Sequence, residues 1–110
     1  MQINFEEKSG IAVFKVTGDI DINSSPDMKK GFEKVFKDKK DKVVIDLGDV
    51  GYVDSSGLAT IVEIFKNMRI YGGKLKLAGL SDKVMGLFEI TKLDRLFDIS
   101  GSSDDAVNSF

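Results

Sequence analysis

Asp54-Ser55-Ser56-Gly57, reached through Val50-Gly51-Tyr52-Val53 and followed by the apolar-periodic run from Leu58 to Met68, is the stretch whose residue types could do chemistry. A carboxylate, two hydroxyls and a glycine stand where an extended segment must become a helix. Side-chain oxygens at such a point accept from the first unpaired backbone N–H groups, and glycine tolerates the geometry of the change. The spacing predicts Ser55 and Ser56 in the first helical turn. The aligned peptide dipoles favour an anion there, so a serine hydroxyl on an exposed loop could receive a phosphoryl group with N–H partners in place. Plain capping is the competing reading, because Asp-Ser-Ser-Gly before a helix is also ordinary N-cap composition.

Other chemistry finds little to work with. The chain has no cysteine and no histidine, which removes disulfides, thiolate nucleophiles, His-based acid–base catalysis and His-ligated zinc. A nucleophile elbow needs G-x-S-x-G, whereas the residue two before Ser55 is Val53. Neither G-x-x-x-x-G-K-[ST] nor G-x-G-x-x-G occurs, so no conventional phosphate-binding loop is expected. Asp19, Asp21, Asp46, Asp49 and Asp54 invite comparison with an acidic metal pocket, but turns and helix starts account for them, and no metal or cofactor is expected.

The elements that must position the serines follow from periodicity. Ile3 and Phe5 alternate with polar neighbours, and after Ser9-Gly10 the run Ile11 to Thr17 is rich in β-formers, which predicts a hairpin. Gly18-Asp19-Ile20-Asp21 ends it. Ser24 or Ser25 as cap, Pro26 near the first helical position, and Met28, Phe32, Val35 and Phe36 on one stripe predict an amphipathic helix, closed by the solvated run Lys37 to Lys42. Val43 to Leu47 reads as a central strand covered on both faces. Beyond the serines, Leu58, Ile61, Val62, Phe65 and Met68, widened by Thr60 and Ile64, predict a largely buried helix ending at Tyr71-Gly72-Gly73, with part of its N-terminal end left for a partner. Lys74 to Ala78 alternates as a strand, so Val43 to Ala78 is a strand–helix–strand unit with a parallel pair. Ser81 caps a short helix through Val84, Leu87 and Phe88; Ile90 to Arg95 is a connection, Leu96 to Ile99 a short edge strand, and Ser102-Ser103-Asp104-Asp105 starts a last short helix.

The 110 residues, 42% of them hydrophobic, have room for one domain, residues 1–110, with a genuine core. The fold class expected is α/β with a mixed sheet. A formal charge of -2 predicts no broad attraction to nucleic acid or to an anionic membrane. With no basic, apolar leader at Met1 to Glu7 and no run of apolar residues long enough to span a bilayer, the expected location is cytoplasmic.

Taken in order, Gly18-Asp19-Ile20-Asp21, Asp46-Leu47, Tyr52-Val53-Asp54-Ser55-Ser56-Gly57-Leu58, Gly72-Gly73 and Leu87-Phe88 resemble the bacterial STAS-domain anti-sigma factor antagonists, with a match from the hairpin to about Ile99. The resemblance implies a mixed four- or five-stranded sheet with helices mainly on one face. It also implies a non-enzymatic switch. The unphosphorylated protein binds an anti-sigma factor that is also a serine kinase and so frees a sigma factor; phosphorylation of Ser55 blocks binding, and a serine phosphatase restores it. The partner surface implied comprises Asp19, Asp21, Asp54, Ser55, Ser56, Gly57 and Leu58, with Asp21 at the interface. Ala59, where the family often has glycine, and the C-terminal tail depart from the pattern. Two rival roles share the fold: a subunit of another signalling or transport complex, and a small-ligand sensor that takes a nucleotide or lipid near the Ser55 loop.

Overall fold

Alternation builds the hairpin first. In the computed structural model, which describes residues 1–110, β1 (Gln2–Lys8) and β2 (Ile11–Thr17) pair antiparallel around a two-residue turn in which Ser9 (φ 54°) and Gly10 (φ 78°) both take positive φ, as a tight hairpin of right-handed twist demands. α1 (Ser25–Lys37), β3 (Lys42–Asp49), α2 (Ser55–Ile70), β4 (Lys74–Ala78), α3 (Asp82–Ile90), β5 (Asp98–Ser100) and α4 (Ser103–Asn108) follow. The sheet order is β1-β2-β3-β4-β5, and every pair after the first is parallel. This is the mixed five-stranded α/β sheet that the motif order implies.

Side chains alternate between two cores. Ala12, Phe14, Val16, Val43, Ile45, Leu47, Leu75 and Leu77 meet the apolar stripes of α1, α2 and α3 on one face, while Ile11, Val13, Val44 and Ala78 meet Ala106 of α4 on the other. Three helices on one face and one short helix on the other explain why Val43, Val44, Ile45 and Leu47 are all buried. Because β2, β3 and β4 run parallel and each is followed by a helix on the same face, the N-termini of α1, α2 and α3 gather at one end of the sheet.

Two details differ from expectation. The edge strand begins at Asp98, two residues late, because Phe97 turns into the core against Phe65 (5.1 Å) and Phe88 (5.8 Å) after a single 3₁₀ turn over Leu93–Arg95. In α2 the buried line is Gly57, Leu58, Thr60, Ile61, Ile64 and Met68, with Val62 and Phe65 only half-buried. Phe65 leans toward Phe97 and so lies at the margin of the stripe. No helix is long and apolar enough to cross a membrane.

Candidate functional site

Two loops at the carboxyl ends of β2 and β3 are zipped together by backbone. Ile20 forms a parallel bridge with Val53; its N–H donates to the Tyr52 carbonyl (2.9 Å), and its carbonyl accepts from the Asp54 N–H (3.1 Å). The lone apolar residue of Gly18-Asp19-Ile20-Asp21 is therefore the anchor of that loop, and its side chain is wholly buried. This register brings the acidic loop before α1 alongside the start of α2.

At that start Asp54 is the N-cap, with extended backbone (φ -95°, ψ -176°). One carboxylate oxygen accepts from the Gly57 N–H (2.9 Å), as a cap should, and the other accepts from the Ile22 N–H across the gap (3.2 Å). Capping is thus Asp54's work and leaves the serine hydroxyls free of it. Ser55 is the first helical residue and is exposed; Ser56 is half-buried and faces a shallow depression shared with Ile22, Ser25, Pro26 and Lys29 of the α1 side. A Cβ on Gly57 would collide with the Ile20 carbonyl oxygen and lie 2.9 Å from both Ile20 Cγ2 and Val53 Cγ1. Glycine is required here by space, not by φ. Gly57 and Leu58, expected in the partner surface, are both buried, so they support the site from beneath.

Asp19 and Asp21 lie in the adjoining loop and differ in kind. Asp19 is exposed, and its backbone carbonyl accepts from the Ser24 hydroxyl (2.7 Å). Asp21 organises the start of α1. Its Oδ1 accepts from the N–H groups of Asn23 (2.9 Å) and Ser24 (3.0 Å), its own N–H donates to Ser24 Oγ (2.9 Å), and its carbonyl accepts from the N–H and hydroxyl of Ser25 (2.8 and 2.6 Å). The backbone bond from Ser24, joined by those of Asn23 and the Ser24 hydroxyl, holds the carboxyl below its ordinary value. Ser24 does occupy the N-cap of α1, but its hydroxyl makes no capping bond because it is committed to this turn. Ser24 thus holds the expected cap position without the capping bond, and Asp21 is a structural acid as well as a candidate contact.

The remaining acids disperse. Asp46 Oδ1 accepts from the Gly48 N–H (2.9 Å), and Asp49 pairs with Lys15 (3.4 Å), so the five aspartates do not converge as a ligand set. Two apolar residues that sequence reasoning did not place in the site flank Ser55: Ile22 is 69% exposed and Tyr52 is 44% exposed. Tyr52 carries the Lys83 ammonium over its ring (5.4 Å) and borders a groove of about 320 Å³ that ends at Leu87 and Ile90 of α3. The sequence signal for Ile22 is an apolar residue directly after an acid in an otherwise polar loop. The arrangement presents a hydroxyl at a helix N-terminus, ringed by carboxylates and exposed apolar side chains. It can take a phosphoryl group or meet a protein surface.

The sequence profile described as "STAS domain" matches residues 2–106. An anti-sigma-B factor antagonist of Bacillus subtilis is 37% identical over 109 residues, which is 97% of this chain and 99% of that relative. The crystal structure of an anti-sigma factor antagonist from Mycobacterium paratuberculosis superposes with a TM-score of 0.89 at 24% identity, covering 98% of this chain and 92% of that one. The phosphorylated form of the Bacillus cell fate determinant SpoIIAA superposes with a TM-score of 0.76 at 13% identity, covering 98% of each. These structural likenesses are likenesses of fold.

Proposed function

The chain belongs to the STAS domain family, and on that premise we propose that it is an anti-sigma factor antagonist gated at Ser55. On this reading it acts as a regulatory binding protein rather than an enzyme, in keeping with a relative named an anti-sigma-B factor antagonist. Unphosphorylated, it captures an anti-sigma factor that is also a serine kinase and so releases a sigma factor; phosphorylation of Ser55 ends the capture, and a serine phosphatase reverses it. One observation carries the reading: Ser55 is an exposed hydroxyl at the first position of α2, with its capping duty taken over by Asp54 and with Ile22 and Tyr52 exposed beside it.

The physics of the gate is local. A phosphate adds about -1.5 to -2 charges next to Asp54, in a loop that also holds Asp19 and Asp21, so a surface that fits a neutral hydroxyl meets bulk and repulsion. The fold need not rearrange, since the N-terminus of α2 accommodates an anion. A phosphorylated form of SpoIIAA, which shares this fold, is compatible with that expectation.

Co-purification from the native cell, followed by incubation with the recovered kinase and ATP, tests the proposal. One phosphate should appear on Ser55, and Ser55→Ala should abolish it. Peptide mapping that places the phosphate on Ser56 or Ser81 contradicts the assignment.

A further inference from the structure

We propose that the end of the molecule opposite Ser55 is a docking surface for an anionic lipid bilayer. The C-terminal parts of α1 and α2 and the segments that follow them, residues 33–42 and 66–74, carry Lys34, Lys37, Lys39, Lys40, Lys42, Lys66, Arg69 and Lys74 against Glu33, Asp38 and Asp41. The Tyr71 hydroxyl, donating to the Lys40 carbonyl (2.9 Å), and the Lys74 N–H, donating to the Asp41 carbonyl (2.7 Å), join the two segments into one surface. None of the eight cations is in an ion pair, although Lys40 and Arg69 lie over the rings of Phe5 and Phe65. The β1–β2 turn adds Glu6, Glu7 and Lys8 at the margin. A net charge of -2 thus conceals a local excess of cations in these two segments, although Asp98, at the start of β5, lines one depression with Arg69 and Lys74.

Two local features disfavour the fold and fall at this same end, and an exposed apolar side chain joins them. Lys42 and Lys74 are register neighbours on adjacent strands, so two like charges sit side by side. Lys39, just past the end of α1, holds a left-handed φ of 49°, where glycine is the ordinary choice. Ile70, at the last position of α2, is 84% exposed. Departures from local preference that coincide on one surface mark it as kept for a partner rather than for stability. The chemistry of that partner is legible. Lysines outnumber arginine seven to one, which suits a diffuse anionic layer better than bidentate recognition of a base or a single phosphate. The rings at these helix ends, Phe5 and Phe65, already carry Lys40 and Arg69 over them, and a carboxylate lines each depression beside them, Asp38 in one and Asp98 in the other, which disfavours a nucleic acid strand, whereas Ile70 suits the apolar boundary of a bilayer. Since α2 spans about 24 Å, a molecule seated on these lysines turns Ser55 outward.

Vesicles of phosphatidylcholine, with and without a phosphatidylglycerol fraction, test this by co-sedimentation at low and high salt. The chain should bind the phosphatidylglycerol vesicles and release in high salt, and the triple variant Lys37→Glu, Lys39→Glu, Lys42→Glu should lose on the order of a hundredfold in affinity. Ile70→Ser, on an exposed side chain, should weaken binding several-fold without changing charge. Equal binding to neutral vesicles, no binding, or an unaffected triple variant overturns the proposal. Equal or tighter binding to duplex DNA at the same salt, salt-sensitive self-association in place of vesicle binding, or an inert Ile70→Ser overturns the lipid assignment. The residues lie outside the Ser55 region, so the triple variant should still bind the anti-sigma factor.

Discussion

Asp54 and Ile22, 32 residues apart in sequence, are joined by a hydrogen bond of 3.2 Å from the Ile22 N–H to the carboxylate oxygen that does not cap α2. The acid that orders the serine helix thereby also fixes the height of the loop bearing Asp19, Asp21 and the exposed Ile22. Asp54→Ala should lower stability by about 1–2 kcal/mol, the upper part of the range for a lost N-cap, because the Ile22 tie is lost with it. Chemical denaturation measures this. Asp54→Asn, whose one acceptor oxygen can keep the Gly57 cap bond but not the Ile22 tie as well, should recover part of the loss; equal destabilisation by both variants would show that the cap bond is not what matters.

Gly57→Ala is expected to be the more damaging change despite adding only a methyl group. The new Cβ would meet the Ile20 carbonyl oxygen, which is backbone and already engaged with Asp54, so the two zipped loops must part. Overpacking of this kind costs about 1–3 kcal/mol. The thermal midpoint should fall, whereas Gly86→Ala in α3, where a Cβ meets nothing, should leave it unchanged or raise it.

How much of this was legible in the sequence depended on whether a residue's role was local. The hairpin, the strand–helix–strand unit and the position of Ser55 follow from periodicity and capping chemistry, which act over a few residues. The burial of Leu58 follows from its helical stripe, but the burial of Gly57, the anchoring by Ile20 and the second bond of Asp54 arise from a bridge between residues 20 and 53, and no local pattern encodes such a contact. Phe97 shows the same limit: β-propensity marks Leu96 to Ile99 as extended, but the demand of Phe65 and Phe88 for a third ring decides where the strand starts. Asp21 reads as a turn or helix-start acid, which it is, but its individual bonds are not legible because its partners are backbone N–H groups, which every sequence has.

Asp21 supplies a pH test. Its carboxyl is held below the ordinary carboxylate value, mainly by the backbone bond from Ser24, so folding favours the ionised form. That contribution is fully present above the unfolded value of about 3.9 and is lost as pH falls through the lower, folded value. Parent and Asp21→Asn should therefore differ in melting midpoint at neutral pH, with the parent higher. The difference should close as pH falls below the unfolded value. A difference that persists unchanged in strong acid would show that the side-chain charge is not responsible.

Ile22→Ala separates binding from folding. The side chain is 69% exposed, so stability should change by less than about 0.5 kcal/mol. Affinity for the anti-sigma factor should fall by about 1–2 kcal/mol, as expected for an apolar anchor beside the gate. Unchanged affinity in a calorimetric titration would remove Ile22 from the interface.

The account rests on Ser55 as the gate, and calorimetric titration of the anti-sigma factor with the unphosphorylated and the singly phosphorylated protein tests it most directly. An uncompensated charge pressed into an interface costs about 2–5 kcal/mol, so phosphorylation should weaken binding by roughly thirtyfold to several thousandfold. The melting midpoint should hold or rise slightly, because the phosphate meets the positive end of α2. Equal affinity of the two forms would contradict the account.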